Sequence, residues 1–190
     1  KLTLMISITL PDGSVKQFDA GITPMGIAIS ISEGFARNVI SASFNDIIIE
    51  SSTPLTEDGH LILYTWRDKK GKQAFWHSSA HIMAQALEEM FPGIKLTIGP
   101  AIENGFYYDI DLADNTISDK DLKSIEDKML QIARGKHEFT LRESSKAEAL
   151  EYYKKQGNQY KVELIENLED GTITFCDHDS FTDLCRGGHI

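Results

Sequence analysis

Two short segments, roughly a hundred residues apart, carry side chains that could do chemistry. His77 and His81 stand four residues apart, and Cys185 and His189 repeat that spacing. Apolar residues at helical intervals follow His81, which predicts a helix, and residues four apart lie on one face of a helix. Three imidazoles and a thiol brought together could form a reaction centre or a tetrahedral metal site. Spacing alone leaves both possibilities open.

Composition restricts the class of protein. The chain has 190 residues, 41% of them hydrophobic, which is enough for one or two domains. Two cysteines do not make a disulfide framework. A net charge of -10 argues against indiscriminate nucleic-acid binding, which needs excess Lys and Arg. No apolar run approaches the roughly 20 residues of a membrane span, and no signal-peptide pattern opens the chain. We therefore expect a cytoplasmic protein with no membrane partner.

The first third of the chain predicts a compact sheet with one helix across it. Alternating apolar residues mark strands at 5–10 and 15–18, joined by a Pro-Asp-Gly turn. Thr23 and Pro24 have the residue types preferred at the start of a helix. A hairpin at 39–50 and a strand at 61–66 complete the order ββαββ…β. This pattern resembles a β-grasp domain over residues 1–66, followed by a charged linker at 67–73.

The remainder, residues 74–190, predicts a second domain of mixed helices and strands, so the fold class is α+β. The helix that carries His77 runs to about Phe91, and further helices are predicted at 118–133 and 144–156. Strands are predicted at 95–100, 106–110, 160–164, 172–176 and 181–184. The strand at 160–164 contains Lys161, and the last strand leads directly to Cys185.

Several longer motifs occur in a fixed order. They are LPDGS at 10–14, HSSAHIMAQA at 77–86, IGPAIENGFYYD at 98–109, YKV at 160–162 and DLCRGGH at 183–189. Taken together, the chain resembles the N-terminal half of the bacterial threonyl-tRNA synthetase family. The two spaced pairs alone would indicate only the broader group shared with alanyl-tRNA synthetase editing domains. The resemblance implies a TGS-like β-grasp domain followed by an editing domain of the threonyl/alanyl type.

The implied activity is proofreading, in which the ester of Ser-tRNA(Thr) is hydrolysed. On this resemblance, His77 orients or deprotonates the attacking water, while His81 and His189 shape the same pocket. Lys161 polarises the carbonyl or supplies a proton; its alternative is an ordinary surface lysine at a strand edge. These four residues, with Cys185, form the expected catalytic set.

Two further residues, Asp183 and Tyr107, have expected roles in binding, and Cys185 has a second possible role. Asp183 would hold the α-ammonium group of serine, with a turn or cap carboxylate as the alternative. Cys185 is expected to be a pocket wall, although a thiol of lowered pKa could act as a nucleophile. Tyr107 and Tyr108 alternate on a predicted strand, so only one can face the pocket. We expect Tyr107 to contact the terminal adenosine of tRNA.

The resemblance also concerns cofactors and partners. The editing site is expected to need no metal; if zinc is bound, its ligands are His77, His81, Cys185 and His189. The family's aminoacylation domain, with its ATP, Mg and zinc sites, is absent from these residues, so we expect no aminoacylation by this chain alone. The family usually has Pro where this chain has Gly188. The expected partner is the acceptor end of tRNA(Thr) carrying serine; the chain is expected to be a monomer and the full-length enzyme a homodimer.

Three other functions remain open from the sequence. The chain could be a tRNA-binding module without chemistry, a free-standing trans-editing hydrolase, or a small protein with a structural zinc. Deacylation of Ser-tRNA(Thr) compared with Thr-tRNA(Thr) would separate them.

Overall fold

A computed structural model describes residues 4–190, so the first three residues of the predicted β-grasp domain lie outside it. The chain divides into two compact units. The first contains the residues up to Phe75 together with Gly188–Ile190, and the second is Trp76–Gly187. Among the described residues, no helix combines the length and apolar character of a bilayer span.

The first unit is built on one five-stranded sheet. Its strands are β1 (Met5–Thr9), β2 (Val15–Asp19), β3 (Val39–Phe44), β4 (Ile47–Ile49) and β5 (Gly59–Thr65). They lie in the order β2-β1-β5-β3-β4, with β1 parallel to β5 and the other pairs antiparallel. Helix α1 (Pro24–Ile31) and the short α2 (Glu33–Ala36) follow β2. The predicted β-grasp arrangement is confirmed.

The core of this unit follows from strand alternation. Ile6 and Ile8 on β1 are almost fully buried and pack with Ile27 of α1 and Leu61 of β5. Thr23 caps α1 as predicted, since its hydroxyl accepts the N–H of Gly26 at 3.0 Å.

The second unit combines helices with one antiparallel sheet. Helix α3 (Lys69–Met90) begins in the first unit and continues into the second, which also contains α4 (Asp119–Arg134), α5 (Lys146–Lys155) and α6 (Gln159–Glu166). The sheet has the order β10-β11-β12, formed by Thr140–Ser144, Ile173–His178 and Phe181–Leu184. Two short pairs complete it: β6 (Lys95–Leu96) with β9 (Ile110–Asp111), and β7 (Ala101–Ile102) with β8 (Gly105–Phe106).

Two sequence predictions for the second unit were wrong, and the strand predicted at 95–100 is limited to Lys95–Leu96. Residues 160–164 are not a strand: they lie in α6, whose first turn is capped by the Asn158 side chain accepting the N–H of Lys161 at 3.1 Å. The aromatic stretch 106–110 is not one strand either, because only its two ends pair with neighbours. In both segments tertiary contacts override the local alternation of residue types.

The segment predicted as a linker is largely helical. Helix α3 already begins at Lys69, so most of residues 67–73 forms its first turns. Gly71 suggested flexibility, but an added Cβ there would collide with the carbonyl oxygen of Thr65. The glycine therefore allows a close backbone approach instead of a loose connection.

Candidate active site

Helix α3 places the first pair of histidines together. His77 and His81 are one helical turn apart, and their Nε2 atoms lie 3.1 Å from each other. His81 is 4% exposed. The spacing of four residues therefore produces the shared direction that the sequence predicts.

The thiol of Cys185 reaches the same histidines from the end of β12. Its Sγ lies 3.2 Å from Nε2 of His77, and the backbone N–H of Gly187 donates to Sγ at 3.4 Å. The backbone N–H of Cys185 in turn donates to the carbonyl of Thr174 on β11 at 3.1 Å. The structure thus brings three of the four residues of the spaced pairs together.

The fourth residue, His189, belongs to the three-residue segment that is grouped with the first unit. Its Nδ1 lies 3.2 Å from Oε1 of Glu50, which also accepts the N–H of Gly188 at 3.1 Å. Burial raises the pKa of Glu50, but the hydrogen bond from His189 and nearby backbone N–H groups outweigh it and hold the pKa below its usual range. Sequence patterns gave no signal for Glu50, because its partner lies 139 residues away.

A buried carboxylate, Asp183 on β12, organises the charges around the cluster. Its Oδ1 accepts the ammonium of Lys161 at 2.6 Å and the N–H of Leu184 at 2.8 Å. Its Oδ2 accepts the Tyr108 hydroxyl and forms an ion pair with Nδ1 of His81 at 3.2 Å. A carboxylate offers about four lone-pair positions. Because four protein groups contact Asp183, these positions are already filled.

These contacts determine the charges of Asp183 and His81. Burial raises the pKa of Asp183, but the positive Lys161 and the contact with His81 dominate and hold it well below its usual range. Burial also lowers the pKa of His81, yet the hydrogen bonds to Asp183 and Cys185 raise it to about 9. His81 is therefore an imidazolium at neutral pH, and both its nitrogens are donors.

This charge assigns a tautomer to the neighbouring histidine. Because Nε2 of His81 carries a proton, Nε2 of His77 at 3.1 Å must act as the acceptor. Nε2 of His77 therefore accepts from His81 and also lies beside the thiol of Cys185.

Lys161 reaches Asp183 from helix α6. It is 2% exposed, and its Nζ also lies 3.3 Å from the Tyr108 hydroxyl. Asn158 holds the helix start, because it caps Lys161 and donates to the carbonyl of Leu96 at 2.8 Å. Lys161 is therefore part of a buried ion pair with Asp183, and the alternative of an ordinary surface lysine does not apply.

The two adjacent tyrosines differ in position. Tyr108 is partly buried and donates to Asp183, and its pKa is raised well above the usual range by burial of the hydroxyl and by the negative carboxylate. Tyr107 is 42% exposed. Its contact with tRNA stays a prediction, while Tyr108 is the tyrosine that the structure places beside Asp183; strand alternation could not decide between them.

The donors of the cluster are of types that zinc accepts. The ligand-type atoms of His77, His81 and Cys185 lie within 4.8 Å of one another. The carboxylate of Asp183 on the other nitrogen of His81 resembles the outer contact that orients many zinc-bound histidines. These residues would hold the ion, which would act as a Lewis acid on the ester carbonyl. The expectation that no metal is needed stays a prediction.

Comparison with known proteins places this geometry in context. Residues 6–65 match the TGS domain family. The chain is 69% identical over 186 residues to the threonine–tRNA ligase of Flavobacterium johnsoniae, 67% to that of Flavobacterium psychrophilum and 52% to that of Cytophaga hutchinsonii. The chain carries a TGS domain and is similar to the N-terminal region of threonine–tRNA ligases.

The similarity covers nearly all of this chain but only a small part of each relative. It covers 98% of this chain but only 28% of the Flavobacterium johnsoniae relative. The TGS match, residues 6–65, begins within β1 and ends with β5, so it coincides with the five-stranded sheet. The His77–His81–Cys185 cluster lies outside the TGS domain, in the second unit.

Proposed function

We propose that the second unit hydrolyses the ester bond of Ser-tRNA(Thr), as the editing part of a threonine–tRNA ligase. One observation supports this most directly: Nε2 of His77 lies 3.1 Å from Nε2 of His81 and 3.2 Å from Sγ of Cys185, beside a buried ion pair. Similarity to threonine–tRNA ligases over 98% of the chain supplies the substrate class. Such an activity has a physical reason, because a missing methyl group provides only about 1–3 kcal/mol of discrimination in one pocket.

Ester hydrolysis needs a proton acceptor for water and a positive group for the oxyanion. In the proposed reaction, the Nε2–H of His81 turns from His77 to the carbonyl oxygen of the ester and stabilises its negative charge. Nε2 of His77 is then able to accept the proton of the attacking water, whose oxygen bonds to the carbonyl carbon. The bond from that carbon to the ribose oxygen breaks, and the ribose oxygen takes the proton back from His77. Cys185 forms a wall of the pocket, and no acyl-enzyme is required. The role of His189 in shaping the pocket stays a prediction.

Asp183 and Lys161 maintain the charge state of this centre. Asp183 keeps His81 protonated, and Lys161 compensates the buried carboxylate. The predicted contact between Asp183 and the α-ammonium of serine requires that the ligand displace one of four protein groups. Because Lys161 uses two of its three donors on Asp183 and Tyr108, one remains for the carbonyl or for a proton transfer.

The proposed partner is the acceptor end of tRNA(Thr) carrying serine, and the proposed location is the cytoplasm. With a net charge of -10, the chain has little general attraction for RNA. Binding would depend on specific contacts at the acceptor end, including the exposed Tyr107.

The test measures release of amino acid from Ser-tRNA(Thr) and Thr-tRNA(Thr) by the purified chain. We expect release of serine and retention of threonine. His77→Ala should reduce serine release about 100-fold or more, as loss of a general base does. His60→Ala, a histidine in strand β5 of the TGS domain, is the matched control and should keep full activity. Tight tRNA binding without release would instead identify a binding module.

A further inference from the structure

The second unit contains a cavity that the cluster of His77, His81 and Cys185 does not line. Its volume is about 250 Å³, well above the roughly 30 Å³ that one water occupies in the liquid. Glu88, Gly93 and Gln156 form an exposed rim. Tyr153 and Asp183 form part of a buried floor. The cavity therefore opens to solvent and narrows onto polar groups.

One group in the floor is poorly satisfied. Tyr153 on α5 is 2% exposed, and among residues 4–190 its hydroxyl has no well-formed hydrogen bond, although the backbone N–H of Leu184 lies close to it. A buried hydroxyl in this state lowers the free energy of unfolding, so native structures normally provide such groups with a protein, water or ligand partner. The hydroxyl therefore marks a position where a polar ligand atom would be stabilised.

The cavity also carries charges of both signs. Glu88 on α3 lies near the negative Asp183, and its pKa is raised by partial burial and by that repulsion. A ligand ammonium would relieve the repulsion. Lys95 on β6 donates to the carbonyl of Gln156 at 2.9 Å, which uses one of its three donors. Its charge attracts Glu88 and is available to a ligand carboxylate.

This cavity is separate from the cluster of imidazoles and thiol. Neither His77, His81 nor Cys185 lines it. The two places share only the ion pair of Lys161 and Asp183, which lines the cavity and also adjoins His81. A molecule in the cavity would therefore contact the ion pair of Lys161 and Asp183 without occupying the cluster of His77, His81 and Cys185.

We infer that this cavity binds a small free α-amino acid, with its ammonium at Glu88, its carboxylate at Lys95 and a side-chain hydroxyl at Tyr153. The choice of a hydroxyl amino acid rests on the proposed function, because serine is what that reaction releases. An amino acid bound in this cavity would lie next to Asp183, which also contacts His81. Binding of free serine in the cavity would therefore be coupled to the site that releases serine.

The first test is an NMR titration of the isotope-labelled chain with free serine. We expect saturable shifts of the amide signals of Lys95 and Thr182, which line the cavity. Ethanolamine lacks the carboxylate and 3-hydroxypropanoate lacks the ammonium, so each should bind at least about tenfold more weakly than serine, a difference of about 1.4 kcal/mol. Absence of saturable shifts, or equal binding by all three, would overturn the inference.

Variants localise the binding. Glu88→Gln and Tyr153→Phe should each weaken serine binding about tenfold or more. Tyr153→Phe removes a buried hydroxyl that has no well-formed hydrogen bond in the free protein, so the variant should fold about as stably as the parent. Glu151→Gln, an exposed glutamate on the same helix as Tyr153, is the matched control and should bind normally. Unchanged binding in both cavity variants would refute the site.

His77→Ala separates this inference from the proposed function. It should abolish release of serine from Ser-tRNA(Thr) while leaving the titration with free serine unchanged. If the parent chain releases serine but free serine does not bind the cavity, only this inference fails. If free serine binds the cavity but no Ser-tRNA(Thr) is hydrolysed, the proposed function fails and the cavity site stands.

Discussion

At the scale of single residues, the centre of the second unit depends on one carboxylate. Asp183 touches Lys161, Tyr108 and His81, which come from a helix, a connecting segment and another helix. Asp183, Lys161 and His81 are buried and Tyr108 is partly buried, so each charge needs its partner. This dependence allows predictions that do not require the proposed reaction.

Asp183→Asn should strongly destabilise the chain, because it leaves the buried Lys161 without a compensating charge. Removing one partner of a buried pair typically costs about 3–5 kcal/mol. Urea unfolding followed by circular dichroism measures the change. Asp179→Asn is the control: its contact with His137 is about half exposed at 4.0 Å, and such pairs contribute about 1 kcal/mol or less. A similar loss in both variants would contradict the buried-pair argument.

His81 gives a prediction for pH. Its pKa rises from 6.5 to about 9 on folding, so the folded state binds a proton more tightly than the unfolded state. The resulting stability is fully present below pH 6.5 and is lost as pH rises through 9. The shift corresponds to about 3 kcal/mol. Thermal unfolding between pH 6 and 10 should show the decline in the parent and a smaller one in His81→Gln; identical curves would exclude this assignment.

The two tyrosines provide a matched pair of substitutions. Tyr108→Phe removes a donor from Asp183 and should lower the free energy of unfolding by about 1–3 kcal/mol. Tyr107→Phe alters an exposed side chain and should change it by less than about 0.5 kcal/mol. Equal effects in denaturant unfolding would mean that the Tyr108 hydroxyl is not held as described.

At the scale of elements, the end of the chain has a backbone that only glycine adopts easily. Gly188 has φ +89°, and its N–H donates to Glu50. Proline, which the resembling family usually has here, fixes φ near −65° and has no N–H. The conformation of this turn is therefore specific to a glycine at position 188.

Substitutions at Gly188 should separate the two effects. Gly188→Ala keeps the N–H and should cost about 1–3 kcal/mol of strain at positive φ. Gly188→Pro should cost more, because it loses the contact with Glu50 as well. Unfolding of both variants by denaturant tests the order. A proline variant as stable as the parent would show that the turn can adopt the other conformation.

The sequence predicted some elements better than others, for identifiable reasons. Alternation of Ile6 and Ile8 predicted β1 correctly, because one face of that strand is buried. Residues 160–164 were predicted as a strand, although Asn158 carried a usable N-cap signal for α6. The spacing of His77 and His81 predicted their contact, whereas Glu50 and the position of Tyr108 depend on distant partners that local patterns do not encode.

At the scale of the whole molecule, metal content is the prediction with the widest consequence. We expect serine release to continue after treatment with EDTA and dialysis, with no stoichiometric zinc by elemental analysis of untagged protein. The matched measurement is a zinc titration of the dialysed chain, since the donors of the cluster are suitable for zinc. One tightly bound zinc per chain, lost together with activity, would assign His77, His81 and Cys185 as ligands instead.

Helix α3 runs without interruption from Lys69 to Met90, and this continuity limits where the polypeptide can be cut. A shortened version that starts at residue 74 would begin inside the helix. The first four N–H groups of any helix lack internal acceptors, so new ends fray. The frayed turn would include His77. Anyone preparing the second unit alone should therefore begin upstream of Lys69, or the cut itself will disturb the residue under study.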